Sequence, residues 1–536
     1  MRNKKFLLGI GLVSLLYFGV SCGNDFLSPD ITNSQTTDSF YQTEAQVEQG
    51  LNGLYNNLLR VSSQRFMMSE VRSDNVWVEI NTNAQRDYSD IGTFRYNITT
   101  LDTIANTWNN LYLLVSNANT FLQKIENVQF YDESLKDQFR GEARFLRALA
   151  YYDLVRYYGR IPLILEPITQ EQALQTGQSS AKEIYEQAII PDLEYAASKL
   201  PETPVNTKGS AVKGKATWMA AKALLGHVYT TMSGYPLYSD NTSAAKTLLK
   251  EVIDYATGKG KFWASTSDQW LHIWTNEQDN NYHIFEIQYV NGGSGLGNPM
   301  VFESCPGLYS GYTNVRIYGN SVWAEDTLVD AYLDGSDNGI HDIRLNGTVD
   351  TTKFVNTDVN PAQTYSGDPF FVKFLEHKIK RAKLGLTNID DLVQSYYDWP
   401  INFPIIRLED VMLMYAELVG PTAEGLQLVN KIRTRAGLAE VTTTDPTEFQ
   451  AIVARERRLE LAGEGHRWHD LVRWGIWKET IKDMFYRYAW SDVYNEYDAD
   501  IKSYGDDLKD GYYLYPIPEK QILVRDGLYE QNEAYR

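Results

Sequence analysis

The sequence predicts a mostly α-helical protein with a scaffold of tetratricopeptide-like helical hairpins, a loop-rich C-terminal half and minor β-structure. Two observations lead to this prediction. Apolar residues recur three and four positions apart in many segments, which is the period of an amphipathic helix. These segments often come in pairs joined by short breaks, as in stacked helical hairpins. The chain has 536 residues, 43% of them hydrophobic, which is enough for a packed interior.

The chain opens with an export signal. A basic start precedes an apolar run from Phe6 to Val20, which is too short to span a bilayer comfortably and ends just before Cys22. We therefore expect residues 1–21 to be a signal peptide. A cysteine after small residues resembles a bacterial lipobox, which implies that Cys22 is acylated and becomes the mature N-terminus. An ordinary signal peptide with a nearby cysteine is the alternative. Residues 22–37 are polar and are predicted to form the lipidated tether.

Helical spacing starts after the tether. Asp38 and Ser39 can cap a helix that runs through Val47 and Leu51. Five further helices are predicted from apolar positions at the same spacing. These positions are Leu111, Val115, Ala118 and Leu122; Leu146, Leu149, Tyr152 and Val155; Trp218, Ala221, Leu225, Val228 and Met232; Leu408, Val411, Tyr415 and Leu418; and Leu426, Val429, Ile432 and Ala436.

The character of the sequence changes between Asn276 and about Pro404. Residues 283–289 alternate like a β-strand, and residues 292–319 are rich in Gly, Ser, Tyr and Pro, which is typical of long loops. Loops of this length in a compact protein usually carry function. We therefore divide the chain into an N-terminal helical part, 38–275, and a C-terminal part, 276–536, packed on the same unit.

Composition narrows the possible partners. The net charge of −19 repels nucleic acid and anionic lipid head groups. The chain has only two cysteines, so Cys305 has no internal disulfide partner if Cys22 carries lipid. No later segment is apolar for long enough to cross a membrane, which favours an anchored protein. The 37 Tyr and 12 Trp suit ligands that are partly apolar and partly hydroxylated.

Two short motifs come close to known ion or phosphate sites but lack an essential residue. Residues 209–216 nearly match a phosphate-binding loop, yet Ala216 stands where a magnesium-binding Ser or Thr is needed. We predict that the helix starts at Ala216 instead. Residues 334–339 resemble the start of a calcium loop, but the twelfth position is Leu345 rather than a bidentate Glu. A simple turn is the preferred interpretation there.

A histidine pair near the C-terminus raises the possibility of zinc. His466, His469 and Asp470 could share one face of a helix, but Arg467 stands where a zinc protease has Glu. We predict a structural helix edge in which Arg467 pairs with Asp470 or Glu464. The serine-hydrolase motif Gly-x-Ser-x-Gly is also absent. No metal and no cofactor are expected.

A series of short motifs, spread in a fixed order along the chain, resembles the SusD/RagB family of outer-membrane nutrient-binding lipoproteins. They are residues 26–29 (FLSP), 40–44 (FYQTE), 51–55 (LNGLY), 141–148 (GEARFLRA), 158–163 (YGRIPL), 407–417 (RLEDVMLMYAE), 429–437 (VNKIRTRAG), 456–461 (ERRLEL), 464–475 (EGHRWHDLVRWG) and 515–518 (YPIP).

The resemblance implies a helical scaffold of tetratricopeptide-like hairpins with the C-terminal half wrapped against it. It implies lipid attachment at Cys22, display on the outer membrane facing the cell exterior, and docking over a SusC-like TonB-dependent transporter. The implied role is capture of an oligosaccharide or polysaccharide, with this subunit acting as a lid and performing no catalysis. Because most of the motifs mark the scaffold, Glu464 and Arg467 are expected to be structural.

A neutral sugar chain offers C–H faces to flat aromatic rings and hydroxyls to polar side chains. We expect such groups on loops held by the rigid helical frame, in two stretches. Packing in the core is the alternative role for each aromatic residue. The candidate ligand-binding residues are Asp74, Asn75 and Trp77 in the first stretch, and Tyr289, Tyr309, Tyr312, Arg316 and Trp323 in the second.

Three other classes of function stay open at the level of sequence. A similar lid could bind peptides rather than glycans. A surface glycosidase or esterase needs catalytic residues that cannot be singled out among 69 acidic side chains. A helical scaffold could also serve purely as an adaptor between proteins.

Overall fold

The computed structural model describes residues 40–78, 86–95, 98–275, 282–290, 293, 295–305, 322–334, 342–351, 369–375, 399–491 and 496–536. Twelve helices form its frame. They are α1 Glu44–Asn56, α2 Asp102–Glu126, α3 Glu133–Tyr158, α4 Ile190–Lys199, α5 Trp218–Ser233, α6 Thr242–Lys259, α7 Leu408–Val419, α8 Ala423–Arg435, α9 Pro446–Leu461, α10 Arg467–Arg473, α11 Trp477–Ala489 and α12 Ala499–Asp506.

Shorter helices lie between these. They are Val61–Arg65, Arg86–Gly92, Gln170–Ala173, Ala181–Ile184, Ser267–Ile273, Met300–Ser304, Asp326–Leu333, Arg344–Thr348 and Glu519–Ile522. The 3-10 turns are Asn57–Arg60, Ile98–Thr100, Asp510–Tyr513 and Glu533–Tyr535, and the π-turns are Phe66–Glu70 and Tyr185–Ile189. The predicted mostly helical fold is therefore confirmed.

Polar caps fix where the helices begin. Thr43 and Gln46 form a reciprocal capping box at the start of α1, because each side chain accepts from the other residue's backbone N–H. The predicted caps Asp38 and Ser39 lie outside the described residues. At α5 the Thr217 hydroxyl accepts from the backbone N–H of Ala220, 3.2 Å away, so the helix begins two residues after the predicted Ala216.

The helices of the scaffold pack against one another in the order of the chain. Each helix from α2 to α8 packs against the next one, and α1 lies across α2 and α3. Helices α6 and α7 are in contact although about 150 residues of chain separate them, so α7 and α8 extend the row of hairpins that the N-terminal part begins. The C-terminal part thus contributes to the scaffold as well as packing on it.

Ten short strands form five antiparallel pairs in the part of the chain that the structure describes. The strands are β1 Val76–Val78, β2 Ile161–Pro162, β3 Gln178–Ser179, β4 His283–Ile287, β5 Val322–Ala324, β6 Val349–Asp350, β7 Phe370–Phe371, β8 Phe403–Arg407, β9 Trp490–Ser491 and β10 Glu496–Tyr497. The pairs are β1 with β5, β2 with β3, β4 with β8, β6 with β7 and β9 with β10. Strand β4 confirms the strand predicted over 283–289, and every residue of it is buried.

The C-terminal tail closes over the N-terminal part. The buried Arg72 guanidinium donates to the backbone carbonyl of Tyr512 and to the Tyr535 hydroxyl, each at 3.0 Å. Asn532 donates to the carbonyls of Tyr158 and Tyr515. Residues more than 350 positions apart are therefore hydrogen-bonded to one another. None of the described helices has the length and apolar character that crossing a membrane requires.

Candidate ligand-binding face

Two predicted site residues meet across a strand pair. In the antiparallel register of β1 and β5, Trp77 stands directly opposite Trp323. Opposed residues project to the same side of a sheet, so the two indoles share one face. The flanking valines, Val76 and Val78, are buried on the other side, whereas both indoles are partly exposed. We name the surface formed by Trp77 and Trp323 the indole face.

Helix α11 packs against the Trp77 side chain. The Tyr488 ring stacks on Trp77, with centroids 3.7 Å apart and planes within 5° of parallel. Phe485 meets the same indole edge-on at 6.3 Å. Trp77 therefore has one ring face covered within the protein. Among the described residues no aromatic ring is stacked on Trp323, which leaves Trp323 as the better placed indole for a ligand.

Asp74 and Asn75 anchor the start of β1 from inside. Both are buried, and the Asp74 carboxylate accepts from Nε and Nη2 of Arg467 at 2.7 and 2.9 Å. Burial alone would raise the pKa of Asp74, but Arg458 and Arg467 hold it well below its ordinary value. The Asn75 side chain donates to Glu70 and accepts from Arg458 Nε, each at 2.9 Å. With their polar atoms already bonded, we no longer assign either residue to ligand contact.

The partner predicted for Arg467 was wrong. Arg467 pairs with Asp74, neither with Asp470 nor with Glu464. Asp470 accepts instead from Arg457 and Arg473. The pairing is long-range, across almost 400 positions, so local spacing could not reveal it. The structural role expected for Glu464 holds, because its buried carboxylate accepts from Lys373 and Arg407.

A polar group borders the indole face at Arg487. Its side chain is 44% exposed, and Nη2 donates to Glu325 Oε1 at 2.7 Å. Glu325 is fully buried just after β5 and also receives Arg458 Nη2 at 3.4 Å. The backbone N–H of Asp326 donates to the Tyr488 hydroxyl at 3.4 Å, which joins the end of β5 to α11. Burial raises the pKa of Tyr488, so its hydroxyl stays neutral.

A second aromatic group at the end of α11 was missed at the level of sequence. Trp490 and Tyr497 face each other across the β9–β10 pair, with ring centroids 4.9 Å apart. They are 40% and 44% exposed, and Tyr486 lies 5.7 Å from Tyr497. The signal that could have found them is the density of aromatic residues in the polar stretch 485–497. This pair lies beside Tyr486, which projects from α11 on the side nearly opposite to Tyr488, so it forms an aromatic surface separate from the indole face.

The predicted site residue Tyr289 is not part of this surface. Tyr289 is only 1% exposed, and its hydroxyl donates to the Leu59 carbonyl at 2.8 Å and bonds Ser62 Oγ at 2.7 Å. Burial raises the pKa of Tyr289. It packs in the core, which was the alternative role considered for each aromatic residue, and we no longer assign it to the site. Tyr309, Tyr312 and Arg316 lie outside the described residues, as does Cys22.

The described part of the chain offers no cluster of His, Cys, Asp or Glu that could hold a metal ion. His469 is buried against Tyr157, with ring centroids 5.2 Å apart, and burial lowers its pKa well below the ordinary value. The loop 209–216 lies beside α1, where Lys215 Nζ contacts Asn52 Oδ1 at 2.6 Å. The turn predicted over residues 334–339 falls outside the described residues except for Asp334.

Comparison with known proteins identifies the family. A family profile described as "SusD family" matches residues 388–535, and a second, described as "Starch-binding associating with outer membrane", matches residues 25–230. The chain is also 26% identical to SusD-like protein P25 of Formosa agariphila over 98% of both chains. This chain belongs to the SusD/RagB family.

Solved SusD-like structures share the fold. A SusD homologue from Bacteroides thetaiotaomicron superposes with a TM-score of 0.76 at 22% identity, covering 95% of this chain and 99% of the homologue. A laminarin-binding SusD-like protein superposes with a TM-score of 0.70 at 24% identity, covering 92% of this chain and all of that one. The tetratricopeptide-like scaffold of this SusD-like chain is therefore confirmed by structural comparison as well.

Proposed function

We propose that this SusD-like protein is a cell-surface lipoprotein that captures oligosaccharides on the indole face and passes them to a SusC-like TonB-dependent transporter. The observation that carries the proposal is the register of β1 and β5. It sets Trp77 and Trp323 side by side on one partly exposed surface, with Trp77 braced by Tyr488. Paired indoles held by a strand pair form a flat apolar platform.

The chemistry of this platform suits a sugar chain. The C–H face of a pyranose can lie over the Trp323 indole, while its hydroxyls reach the partly exposed Arg487 guanidinium. Buried ion pairs at Asp74 and Glu325 hold the strands in place, so little ordering is needed on binding.

Relatives support the substrate class and the location. One solved SusD-like structure is a laminarin-binding protein, and one matching family is described as starch-binding and associated with the outer membrane. The export signal and Cys22 give a means of attachment, by acylation at the mature N-terminus. Binding and delivery require no catalytic group, and in this proposal the protein is not an enzyme.

The test is a glycan array on the soluble chain that starts after Cys22, followed by calorimetric titration of the strongest hit. Trp323→Ala is expected to lose at least tenfold in affinity, because the stacking surface is removed. Tyr131→Ala is the matched control, since Tyr131 is a fully exposed aromatic residue in the loop between α2 and α3. Full affinity in Trp323→Ala would remove the indole face from the proposal.

The same experiment separates the competing functions. A screen against peptides alongside the array would reveal a peptide-binding lid, which would replace the glycan proposal if only peptides bind. Incubation of the hit with the protein, followed by assay of new reducing ends, would reveal a glycosidase. Tight binding to other proteins with no small ligand would indicate an adaptor.

A further inference from the structure

A groove lies on the helical scaffold, away from the indole face. Helix α8 forms its floor, and two loops, 263–267 and 440–442, form its rims. Its volume is about 900 Å³, which lies within the range of small-ligand sites. We name it the α8 groove.

Helix α9 separates the two surfaces. Its Glu456 accepts from Arg433 of α8, whereas its Arg458 donates to Asn75 at the start of β1. Residues two apart on a helix project to nearly opposite sides. The α8 groove and the indole face therefore lie on different sides of α9 and cannot be parts of one binding site.

Both rims of the α8 groove are tied to its floor. Ser267 Oγ donates to the Arg435 carbonyl at 2.8 Å, which fixes the first loop to the end of α8. The Asn430 side chain exchanges two hydrogen bonds with the backbone of Val441, at 2.8 and 2.9 Å, which fixes the second. Because the chain's own hydrogen bonds hold both rims, binding requires little reorganisation.

One aromatic ring and two cations define the interior of the groove. The Lys431 ammonium and the Arg435 guanidinium each lie 4.4 Å from the Trp263 ring centroid. Arg435 is neutralised by Glu409 and Glu460, at 2.5 and 2.8 Å. Lys431, by contrast, forms no ion pair with any carboxylate in the described part of the chain.

The Lys431 ammonium is partly buried beside the Trp263 ring. Partial burial lowers the pKa of Lys431, and Glu409 opposes that shift from beyond ion-pair distance. A partly buried cation gains most from a ligand that brings its own anion, because a charge-assisted hydrogen bond replaces lost hydration. Other polar groups of the lining, which suit sugar hydroxyls, include the Gln427 amide and the Thr434 and Thr442 hydroxyls.

We propose that the α8 groove is a second saccharide site that takes a carboxylated or sulfated sugar, with its anionic group at the Lys431 ammonium and its ring against Trp263. Glu440 on the rim sets the orientation of the bound sugar, since its carboxylate repels the anionic group and accepts hydrogen bonds from hydroxyls. The sugar class rests on the proposed function, whereas the preference for an anion rests on Lys431 alone. The groove gives an anionic glycan a contact separate from the indole face.

The test compares three tetrasaccharides by calorimetric titration: galacturonate for the carboxylate, a sulfated carrageenan fragment for the sulfate, and neutral galactotetraose. Lys431→Met keeps an unbranched side chain only one atom shorter and removes its charge. We expect this variant to bind an acidic tetrasaccharide about tenfold more weakly, which is the usual effect of losing one charge-assisted hydrogen bond. The acidic tetrasaccharide that binds identifies whether the site takes a carboxylate or a sulfate. Raised salt should weaken the same binding.

Lys222→Met is the matched control, since Lys222 also lies over an indole, 5.3 Å from the Trp218 ring, and is paired with Glu251. It should leave the affinity for the acidic tetrasaccharide unchanged. The inference is overturned if neither acidic tetrasaccharide binds, if Lys431→Met binds as tightly as the wild type, or if an acidic peptide shows the same loss in Lys431→Met. In each of these cases the proposed function, in which neutral glycans bind at Trp323, would be unaffected.

Discussion

Single residues in the first predicted stretch differ in exposure. Trp77 is partly exposed, whereas Asp74 and Asn75, three and two positions earlier in the turn before β1, are buried with their polar atoms bonded. The sequence was enough to choose this stretch, because polar and aromatic residues cluster there. It could not show which of them face solvent, since their partners Arg458 and Arg467 lie almost 400 positions away.

The two indoles are expected to respond differently to truncation. Trp77 packs on Tyr488 and Phe485, so Trp77→Ala opens a cavity and should lower the free energy of unfolding by about 3 kcal/mol. Trp323→Ala should cost under about 1.5 kcal/mol, because no aromatic ring of the described residues stacks on it. Urea denaturation of both variants measures the difference. Equal losses would show that Trp323 is packed as tightly as Trp77.

Asp74 should contribute stability that depends on pH. Its pKa is lower in the folded chain than the ordinary value of about 3.9, so the unfolded chain binds the proton first as the pH falls. The contribution is fully present above about pH 4 and is lost as the pH falls below that. Asp74→Asn should lower the free energy of unfolding by about 3 kcal/mol at neutral pH, because it leaves Arg458 and Arg467 underpaired.

Urea denaturation of wild type and Asp74→Asn at several pH values checks this prediction. The gap between the two chains should narrow as the pH falls through the acid range. A gap that stays constant with pH would mean that the Asp74 carboxylate is not held ionised by the two arginines.

At the scale of elements, helix α9 joins the parts of the molecule. Its buried Glu460 accepts from Trp270, Arg344, Arg407 and Arg435, which come from four separate segments. The pKa of Glu460 lies well below its ordinary value because the three guanidiniums outweigh the effect of burial. Helix α9 therefore joins strand β8, helix α8 and the short helix Arg344–Thr348 in one core.

Neutralising Glu460 should be strongly destabilising. Glu460→Gln is expected to lower the free energy of unfolding by about 3–5 kcal/mol, because it leaves buried guanidiniums without their shared anion. Glu448→Gln, an exposed change in the first turn of the same helix, should cost under about 1 kcal/mol. Thermal and urea unfolding of both variants provide the measurement. Similar values for the two would contradict the joining role of Glu460.

The helices themselves were largely predictable, whereas their connections were not. The periodic positions from Leu111 to Ala436 fall in α2, α3, α5, α7 and at the end of α8, since core-facing apolar residues must repeat with the helical period. The pairing of β1 with β5 joins residues almost 250 positions apart, and nothing local specifies it. The aromatic pair Trp490 and Tyr497 was missed because helical periodicity gives no information on an exposed hairpin.

At the scale of the whole molecule, the chain is one interlocked unit on a proposed lipid anchor. We expect Cys22→Ala to move the protein from the membrane fraction to the soluble fraction, because a lipidated cysteine is then no longer available. Fractionation of cells that express each form, with mass spectrometry of the mature N-terminus, measures this. Membrane association that survives the change, or an unmodified Cys22 in the wild type, would contradict the anchor.

The most direct measurement of the central claim is a crystal structure of the soluble chain with the strongest neutral oligosaccharide from the array. We predict a sugar ring stacked on the Trp323 indole, beside Trp77, with a hydroxyl bonded to Arg487. Clear density for the saccharide elsewhere, with Trp323 free of ligand, would contradict the account.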